Sequence, residues 1–116
     1  WKKMAASVNL STPEKTLETF LGAAKSGDFE TFKKCLDPDP VDFGFRYDPK
    51  RSMQEIADVV RGEELHLGQS LDVHDKSKFK KYKLIHSGKT EEGSDILFMK
   101  VKDGWVISDI DMSGYE

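Results

Sequence analysis

The chain has 116 residues, about the length of a single domain. Charged residues make up 34% of it, the formal net charge is −3, and the single cysteine excludes an intrachain disulfide. No run approaches the ~18 consecutive apolar residues of a membrane-spanning helix. The acidic balance also argues against general nucleic-acid binding, which needs a basic face.

Helix signals begin near the N-terminus. Residues 1–10 show no pattern, and we expect them to form a flexible lead-in to one domain over residues 11–116. Thr12 and Pro13 predict an N-cap and a first helical position. Gly27 predicts the end of this first helix. Between them, apolar residues recur at helical spacing, at Leu17, Phe20, Leu21 and Ala24.

Two more helices and a short strand are predicted before the spacing of the apolar residues changes to every second position. Asp28 is expected to cap the second helix. Apolar residues alternate over residues 41–47, which predicts a strand with its aromatic residues on one face. Ser52 and Glu55 match a capping box, which predicts the start of the third helix, and Gly62 predicts its end.

A two-residue apolar period then predicts an antiparallel meander. A β-bulge at Lys80 and Lys81 would keep the apolar residues of its second strand on one face. A polar turn over residues 88–93 and an Asp103-Gly104 hairpin are expected to join the later strands. The four predicted strands span residues 65–73, 78–87, 96–102 and 105–112. Helices grouped before such a meander predict an α+β fold, with N-terminal helices packed on a curved, mainly antiparallel sheet of four long strands.

Both ends of the predicted domain resemble a known superfamily. The opening pattern is Thr12-Pro13-Glu14, Phe20-Leu21 and Ala23-Ala24-Lys25-Ser26-Gly27-Asp28-Phe29, and the closing pattern is Asp103-Gly104-Trp105-Val106-Ile107 with Ile110. These patterns resemble the first helix pair and the last hairpin of nuclear-transport-factor-2-like proteins, also called cystatin-like. That superfamily has a cone-shaped α+β half-barrel. It includes ketosteroid isomerase, scytalone dehydratase and polyketide cyclases, besides binding and assembly domains.

The resemblance carries expectations about the site and the location. The compact form is most similar to an uncharacterised, secreted or lipoprotein-attached bacterial branch, and the resemblance implies a pocket between the first helix and the sheet. Because the chain starts at Trp1 rather than at a methionine, we expect a processed or partial product. We therefore expect a bacterial extracytoplasmic location, with the cytoplasm as the alternative.

Enzymes of this superfamily need an ionisable group inside an apolar cone, where burial tunes its pKa. The candidate acids or bases are Tyr47, His86 and Asp109. Tyr47 falls on the same face of its predicted strand as the apolar residues. The bulge would bring His86 to the face that carries Leu84. Asp109 shares the two-residue alternation of Trp105 and Ile107 in the last strand. Asp42 is expected to face water. The candidates form no obvious pair of a base and an oxyanion donor, which weakens the case for an enzyme.

Two polar clusters have alternative interpretations. His66, Asp72 and His74 share one strand phase, but their spacing is a weak metal signal, and we expect neither a metal nor a cofactor. A basic cluster interleaved with aromatic residues could bind single-stranded nucleic acid, or its lysines could protect an exposed strand. We favour protection, because the chain is acidic overall and has no second basic cluster. The cluster comprises Lys76, Lys78, Lys80, Lys81 and Lys83.

The sequence therefore favours a non-enzymatic domain that binds a small hydrophobic ligand or a protein, with an apolar pocket between the first helix and the sheet. The alternatives are a small isomerase, dehydratase or cyclase acting on a hydrophobic substrate, and a single-stranded nucleic-acid binder. The open sheet face also favours a homodimer. The predicted pocket lining consists of Leu17, Phe20, Leu21, Phe32, Tyr47, Leu97, Met99, Trp105 and Ile107.

Overall fold

The computed structural model describes residues 8–62, 64–86 and 89–112. Its helices are α1 (Pro13–Ser26), α2 (Phe29–Lys34), α3 (Phe43–Tyr47) and α4 (Pro49–Val59), and its strands are β1 (Leu65–Leu71), β2 (Phe79–His86), β3 (Lys89–Val101) and β4 (Gly104–Met112). The strands form one open antiparallel sheet in the order β1-β2-β3-β4. The four helices pack against this sheet, so the predicted α+β architecture is confirmed.

The first two helices begin where their capping residues predict. The Thr12 hydroxyl accepts the backbone N–H of Lys15 at 3.1 Å, and Pro13 occupies the first turn of α1. Gly27 ends α1 in the left-handed conformation, with φ of 74°. The Asp28 carboxylate then accepts the backbone N–H of Thr31 at 3.1 Å and caps α2.

The predicted strand over residues 41–47 is wrong, because this segment contains α3. The carboxylate of Asp42 accepts the backbone N–H of Phe45 at 3.0 Å, which caps a short helix. Phe45 is buried, while Phe43 and Tyr47 lie one helical turn apart and are exposed. Alternating aromatic residues over so short a segment fit either structure, and the Asp42 cap favours the helix.

Helix α4 starts four residues before the predicted position. Asp48 is its N-cap, since its carboxylate accepts the backbone N–H of Arg51 at 3.2 Å, and Pro49 follows in the first turn. Asp48-Pro49 is the same type of signal as Thr12-Pro13, and it outweighs the capping box that Ser52 would have formed. Ser52 is instead buried inside the helix.

The register of the sheet corrects two sequence predictions. Lys80 and Lys81 pair without interruption with Phe98 and Leu97, so the predicted bulge is not there. Irregularities lie instead between Leu67 and Ser70 in β1, between Lys83 and Ile85 in β2, and between Leu97 and Phe98 in β3.

The predicted polar turn is also corrected. Residues 89–93 belong to β3, and residue 88 lies outside the described residues. The hairpin between β3 and β4 is confirmed, with Val101 paired to Gly104. A side chain at Gly104 would overlap the carbonyl of Leu10, which accepts the backbone N–H of Trp105 at 2.7 Å.

Aromatic side chains fill the space between the helices and the inner face of the sheet. The rings of Phe20 and Phe32 stack at 4.6 Å between centroids, and Phe45 packs edge-on against both at about 6 Å. Cys35 is also fully buried, and desolvation raises the pKa of its thiol to about 12, so it behaves as a small apolar residue. The sheet supplies the fully buried Leu84, Ile96, Phe98 and Ile107.

The linker between α2 and α3 covers the outer edge of β4. Ile107 donates its N–H to Cys35 at 2.7 Å, and its carbonyl accepts the N–H of Asp37 at 2.9 Å. The N–H of Asp42 reaches the carbonyl of Ser108 at 3.1 Å. These bonds hold the start of α3 beside the last strand. Within the described residues, no helix is long and apolar enough to cross a membrane.

The substitution Phe32→Ala should lower the free energy of unfolding by about 3–5 kcal/mol, because it leaves a cavity among packed rings. Phe43→Ala is the matched control, since the Phe43 side chain is 75% exposed, and it should change stability by less than about 0.5 kcal/mol. Urea unfolding followed by circular dichroism measures both. Equal losses in the two variants would contradict the placement of the core.

Candidate functional site

Open grooves lie at the sides of the filled core, and the first lies between α1 and β1. This α1–β1 groove has a volume of about 440 Å³. Its apolar floor consists of Leu17 and Leu21 from α1 and Leu65 and Leu67 from β1. Helical spacing places the two α1 leucines on one face, and a two-residue step does the same for the two β1 leucines.

Charged side chains of both signs form the rim of the α1–β1 groove. Glu64 and His66 lie on the strand side, with 3.3 Å between the His66 Nε2 and a Glu64 carboxylate oxygen. The rest of the rim comes from α1 and includes Glu14, Glu18 and Lys25. Burial, followed by the charge of Glu14, raises the pKa of Tyr82.

Gly22 lies in the interior of α1 and lines the α1–β1 groove. A Cβ atom built at this position would have no atom within 4 Å, so the space above it is open. Glycine costs about 1 kcal/mol relative to alanine in a helix interior. Gly22 thus gives up helix stability at a groove-lining position where a side chain would meet open space.

The second groove lies between the α3–α4 region and the end of β4, with a volume of about 710 Å³. Phe45, Ile56, Val59, Ile110 and Met112 supply its apolar surface. The charged residues of its lining are all acidic: Asp42, Glu55, Asp58, Asp109 and Asp111. Glu55 and Asp58 are paired with Arg51 and Arg61, so the negative charge of this α4–β4 groove lies mainly at Asp42, Asp109 and Asp111.

Asp109 is the most strongly perturbed carboxyl of the α4–β4 groove. Burial raises its pKa most, and the charge of Asp42, a hydrogen bond between the two carboxyls, and the charges of Asp95 and Asp111 raise it further. Asp109 is therefore harder to ionise than an exposed aspartate. Asp42 also caps α3, and that fixes its side chain beside β4. Because Asp42 is half-buried, the expectation that it faces water is wrong.

The structure does not bring the three candidate acids or bases together. Asp109 lines the α4–β4 groove, whereas neither Tyr47 nor His86 lines either of the two grooves. Tyr47 is 73% exposed on α3, and its ring stacks on Phe43. His86 is half-buried at the end of β2, opposite Leu65. The partner that sequence analysis missed is Asp42, whose signal was its capping position before α3.

The residues of the predicted pocket lining fall into four environments, one of which is the exposed surface of α3 that carries Tyr47. Leu17 and Leu21 line the α1–β1 groove, and Phe20, Phe32 and Ile107 fill the core. Leu97 and Met99 are half-buried on the outer face of the sheet, opposite in phase to the buried Ile96 and Phe98. Trp105 is buried on the inner face, with the ammonium groups of Lys80 and Lys100 at 4.9 and 5.2 Å from its ring.

The basic cluster is divided between the two faces of the sheet. Lys80 pairs with Phe98 on the inner face, whereas Lys81 pairs with Leu97 on the outer face. Lys81 also lies 3.9 Å from Asp95. Its lysines therefore form no single platform for stacked bases. Across the described parts of the chain, no three His, Cys, Asp or Glu side chains are grouped closely enough to hold a metal ion.

Comparisons with known proteins identify the fold. No family model matches the chain, and no curated protein matches it. A solved variant of the protein Rd1NTF2_05 is 19% identical, with 83% of this chain and 91% of that chain covered and a TM-score of 0.55. The fold is nuclear-transport-factor-2-like.

Two other solved structures of this kind come from bacteria. A putative calcium/calmodulin-dependent protein kinase type II association domain from Thiobacillus denitrificans is 9% identical, covers 85% of this chain and 91% of its own, and has a TM-score of 0.50. A nuclear-transport-factor-2-like protein of unknown function from Cytophaga hutchinsonii is 15% identical over 90% of both chains, with a TM-score of 0.46. Identities this low show the fold alone, and at that level the predicted resemblance is confirmed.

Asp109→Asn should stabilise the protein at neutral pH and much less in acid. The pKa of Asp109 is raised in the folded state, so its ionisation opposes folding, and stability is lost as the pH rises through that pKa. The gain of the variant over the wild type in urea unfolding should therefore be larger at about pH 7 than at about pH 3. Asp103→Asn, at an exposed hairpin position, is the control. A gain independent of pH would contradict this account.

Proposed function

We propose that this chain is a non-enzymatic binding domain that holds a small hydrophobic ligand in the α1–β1 groove. The observation that carries this proposal is the leucine floor of the groove, formed by Leu17, Leu21, Leu65 and Leu67. An alkyl or ring system that lies on this floor would remove apolar surface from water at about 25 cal/mol for each Å² buried. The charged rim would orient a polar end of the ligand toward solvent.

The filled interior supports binding rather than catalysis as the primary role. Phe20, Phe32 and Phe98 are fully buried where a reaction chamber between α1 and the sheet would lie. The α1–β1 groove is open to solvent, and catalysis of proton transfer benefits from a site that excludes water. The Gly22 gap adds support, because it leaves room for a ligand against the helix backbone.

Gly22→Phe should block the α1–β1 groove, whereas Gly22→Ala should leave it open and raise stability by about 0.5–1 kcal/mol. Decanol serves as the probe, and methyl chemical shifts of Leu17, Leu21 and Leu67 report its binding. Wild type and Gly22→Ala should show saturable shifts at these methyl groups, and Gly22→Phe should lose them while remaining folded. Equal binding by the two variants, or shifts elsewhere only, would contradict the proposal.

A second candidate function is acid–base catalysis of the isomerase, dehydratase or cyclase type on a hydrophobic substrate in the α4–β4 groove. The observation that favours it is the raised pKa of Asp109 beside Asp42. A protonated Asp109 could donate to a substrate oxygen while the Asp42 carboxylate removes a proton from carbon. Phe45 and Ile56 would hold the apolar part of the substrate.

Exchange of α-deuterium from a hydrophobic cyclic ketone tests this second candidate, because it detects proton removal from carbon without a known substrate. Catalysis by the Asp42–Asp109 pair predicts exchange above the buffer rate that Asp109→Asn abolishes. The Asp103→Asn control should keep the exchange. Equal rates for the wild type and Asp109→Asn would exclude the pair as the catalyst.

We further propose that the domain forms a homodimer through the outer face of its sheet. The register places Phe79, Met99 and the buried Val106 side by side in one row of this face. In the next row Leu71 and Leu97 alternate with the charged residues Lys81 and Asp109. Apolar side chains on the open face of a sheet, with charged residues beside them, are compatible with a contact between two sheets.

The mass in solution tests the proposed dimer. Light scattering should give about twice 13.2 kDa for the wild type, and Met99→Lys should give the monomer mass, since it would bury a charge at the contact. Lys102→Glu changes charge at the exposed hairpin, and it should leave the dimer intact. A monomeric wild type at high micromolar concentration would contradict this proposal.

A further inference from the structure

An aromatic surface on α3 has no role in the core or in either groove. Of the large hydrophobic side chains that are exposed in the described residues, three lie within residues 41–47. Val41 is 58% exposed, Phe43 75% and Tyr47 73%. The rings of Phe43 and Tyr47 stack with 5.9 Å between centroids and 23° between planes. Single exposed hydrophobic residues are ordinary, but a contiguous set marks an interaction surface.

The fold presents this α3 aromatic surface, defined by Val41, Phe43 and Tyr47, on a fixed backbone. Phe45 anchors the opposite side of α3 in the core, and Asp42 caps its start. Val41 donates its N–H to the Ser108 hydroxyl at 3.2 Å, which ties the segment to β4. These contacts fix the backbone that carries the two exposed rings and do not cover the rings. A partner would therefore meet a preorganised site.

The charges around the α3 aromatic surface favour a cationic partner. Asp42 directly precedes Phe43, and Asp48 directly follows Tyr47. The cation of α3, Arg46, is already engaged, with its guanidinium 2.9 Å from the Asp39 carboxylate and bonded to the Pro40 carbonyl at 3.0 and 3.2 Å. Of the two cations that follow Asp48, Arg51 lies 3.5 Å from the Glu55 carboxylate and the Lys50 ammonium lies 5.9 Å from the Phe29 ring. The surface thus offers two aromatic rings flanked by the carboxylates of Asp42 and Asp48.

Arginine is the side chain that matches both features. Its planar guanidinium stacks on aromatic faces and also binds carboxylates through two parallel hydrogen bonds. Its methylene groups can pack on an apolar side chain such as Val41. Lysine would satisfy the charge but not the planar stacking, and an acidic segment would be repelled.

We propose that the α3 aromatic surface docks an arginine-bearing segment of a partner protein. The partner's guanidinium groups lie on the rings of Phe43 and Tyr47 and pair with the carboxylates of Asp42 and Asp48. This site is separate from the floor of the α1–β1 groove, so it allows the domain to bind a small ligand and a protein at the same time.

A short peptide in which arginine alternates with glycine tests this proposal, with the glutamate–glycine peptide as the charge control. Each is titrated into isotope-labelled protein, and the ring and backbone shifts of Phe43 and Tyr47 are followed. The arginine peptide should bind with an affinity that falls as salt is added, and the glutamate peptide should not bind.

Two variants and a control separate the contributions. The double variant Phe43→Ala and Tyr47→Ala removes exposed rings only, so it should fold normally and bind the peptide about tenfold more weakly. The double variant Asp42→Asn and Asp48→Asn keeps both helix caps and should bind about threefold more weakly at low salt. Val8→Ala changes an exposed apolar residue outside the surface and should bind like the wild type.

Three results would overturn the proposal. One is the absence of shifts at Phe43 and Tyr47 at millimolar peptide. Another is binding that the double ring variant leaves unchanged. The third is a concentration-dependent shift of these residues without peptide that blocks peptide binding, which would assign the surface to a second copy of this chain.

Discussion

The packing of three phenylalanine rings determines where this domain can bind anything. Phe20 of α1, Phe32 of α2 and Phe45 of α3 meet in one cluster and bring three helices to a common point above the sheet. Phe98 and Ile107 close the cluster from below. Because these side chains occupy the middle of the concave face, the α1–β1 and α4–β4 grooves lie at its sides rather than inside it.

A second constraint follows from the hydrogen bonds along the edge of β4. The linker after α2 pairs with Ile107 and Ser108, and it places Asp42 beside Asp109 and Phe45 inside the core. The same few residues therefore cap α3, perturb a carboxyl of the last strand and turn Phe43 and Tyr47 outward. The carboxyl pair and the exposed rings are two consequences of how one short segment is held.

Local sequence signals predicted most of the fold, and the exceptions have physical causes. Thr12-Pro13 and Asp28 act through hydrogen bonds to residues three positions away, so their positions suffice to predict α1 and α2. Residues 41–47 were misassigned because a period of two and a single helical turn are indistinguishable over so few aromatic residues. Which side chains of β3 point toward the core depends on how β3 pairs with β2 and β4. The sequence alone therefore did not determine that Phe98 rather than Met99 points inward.

The site was less predictable than the fold. Leu17 and Leu21 could be assigned to the wall of a pocket because helical spacing and the superfamily resemblance agreed on the face of α1. The contact between Asp42 and Asp109 joins residues far apart in the chain, and no local pattern reports it. Gly22 carries no sequence signal beyond its low helix propensity, and only the open space above it relates it to the groove.

The most direct test of this account is a crystal structure of the protein soaked with decanol. The filled core and the leucine floor predict ligand density along Leu17, Leu21, Leu65 and Leu67, with the Phe20 and Phe32 rings unmoved. Ligand density between Phe20 and Phe98, in the space that core side chains fill, would contradict this placement of the ligand.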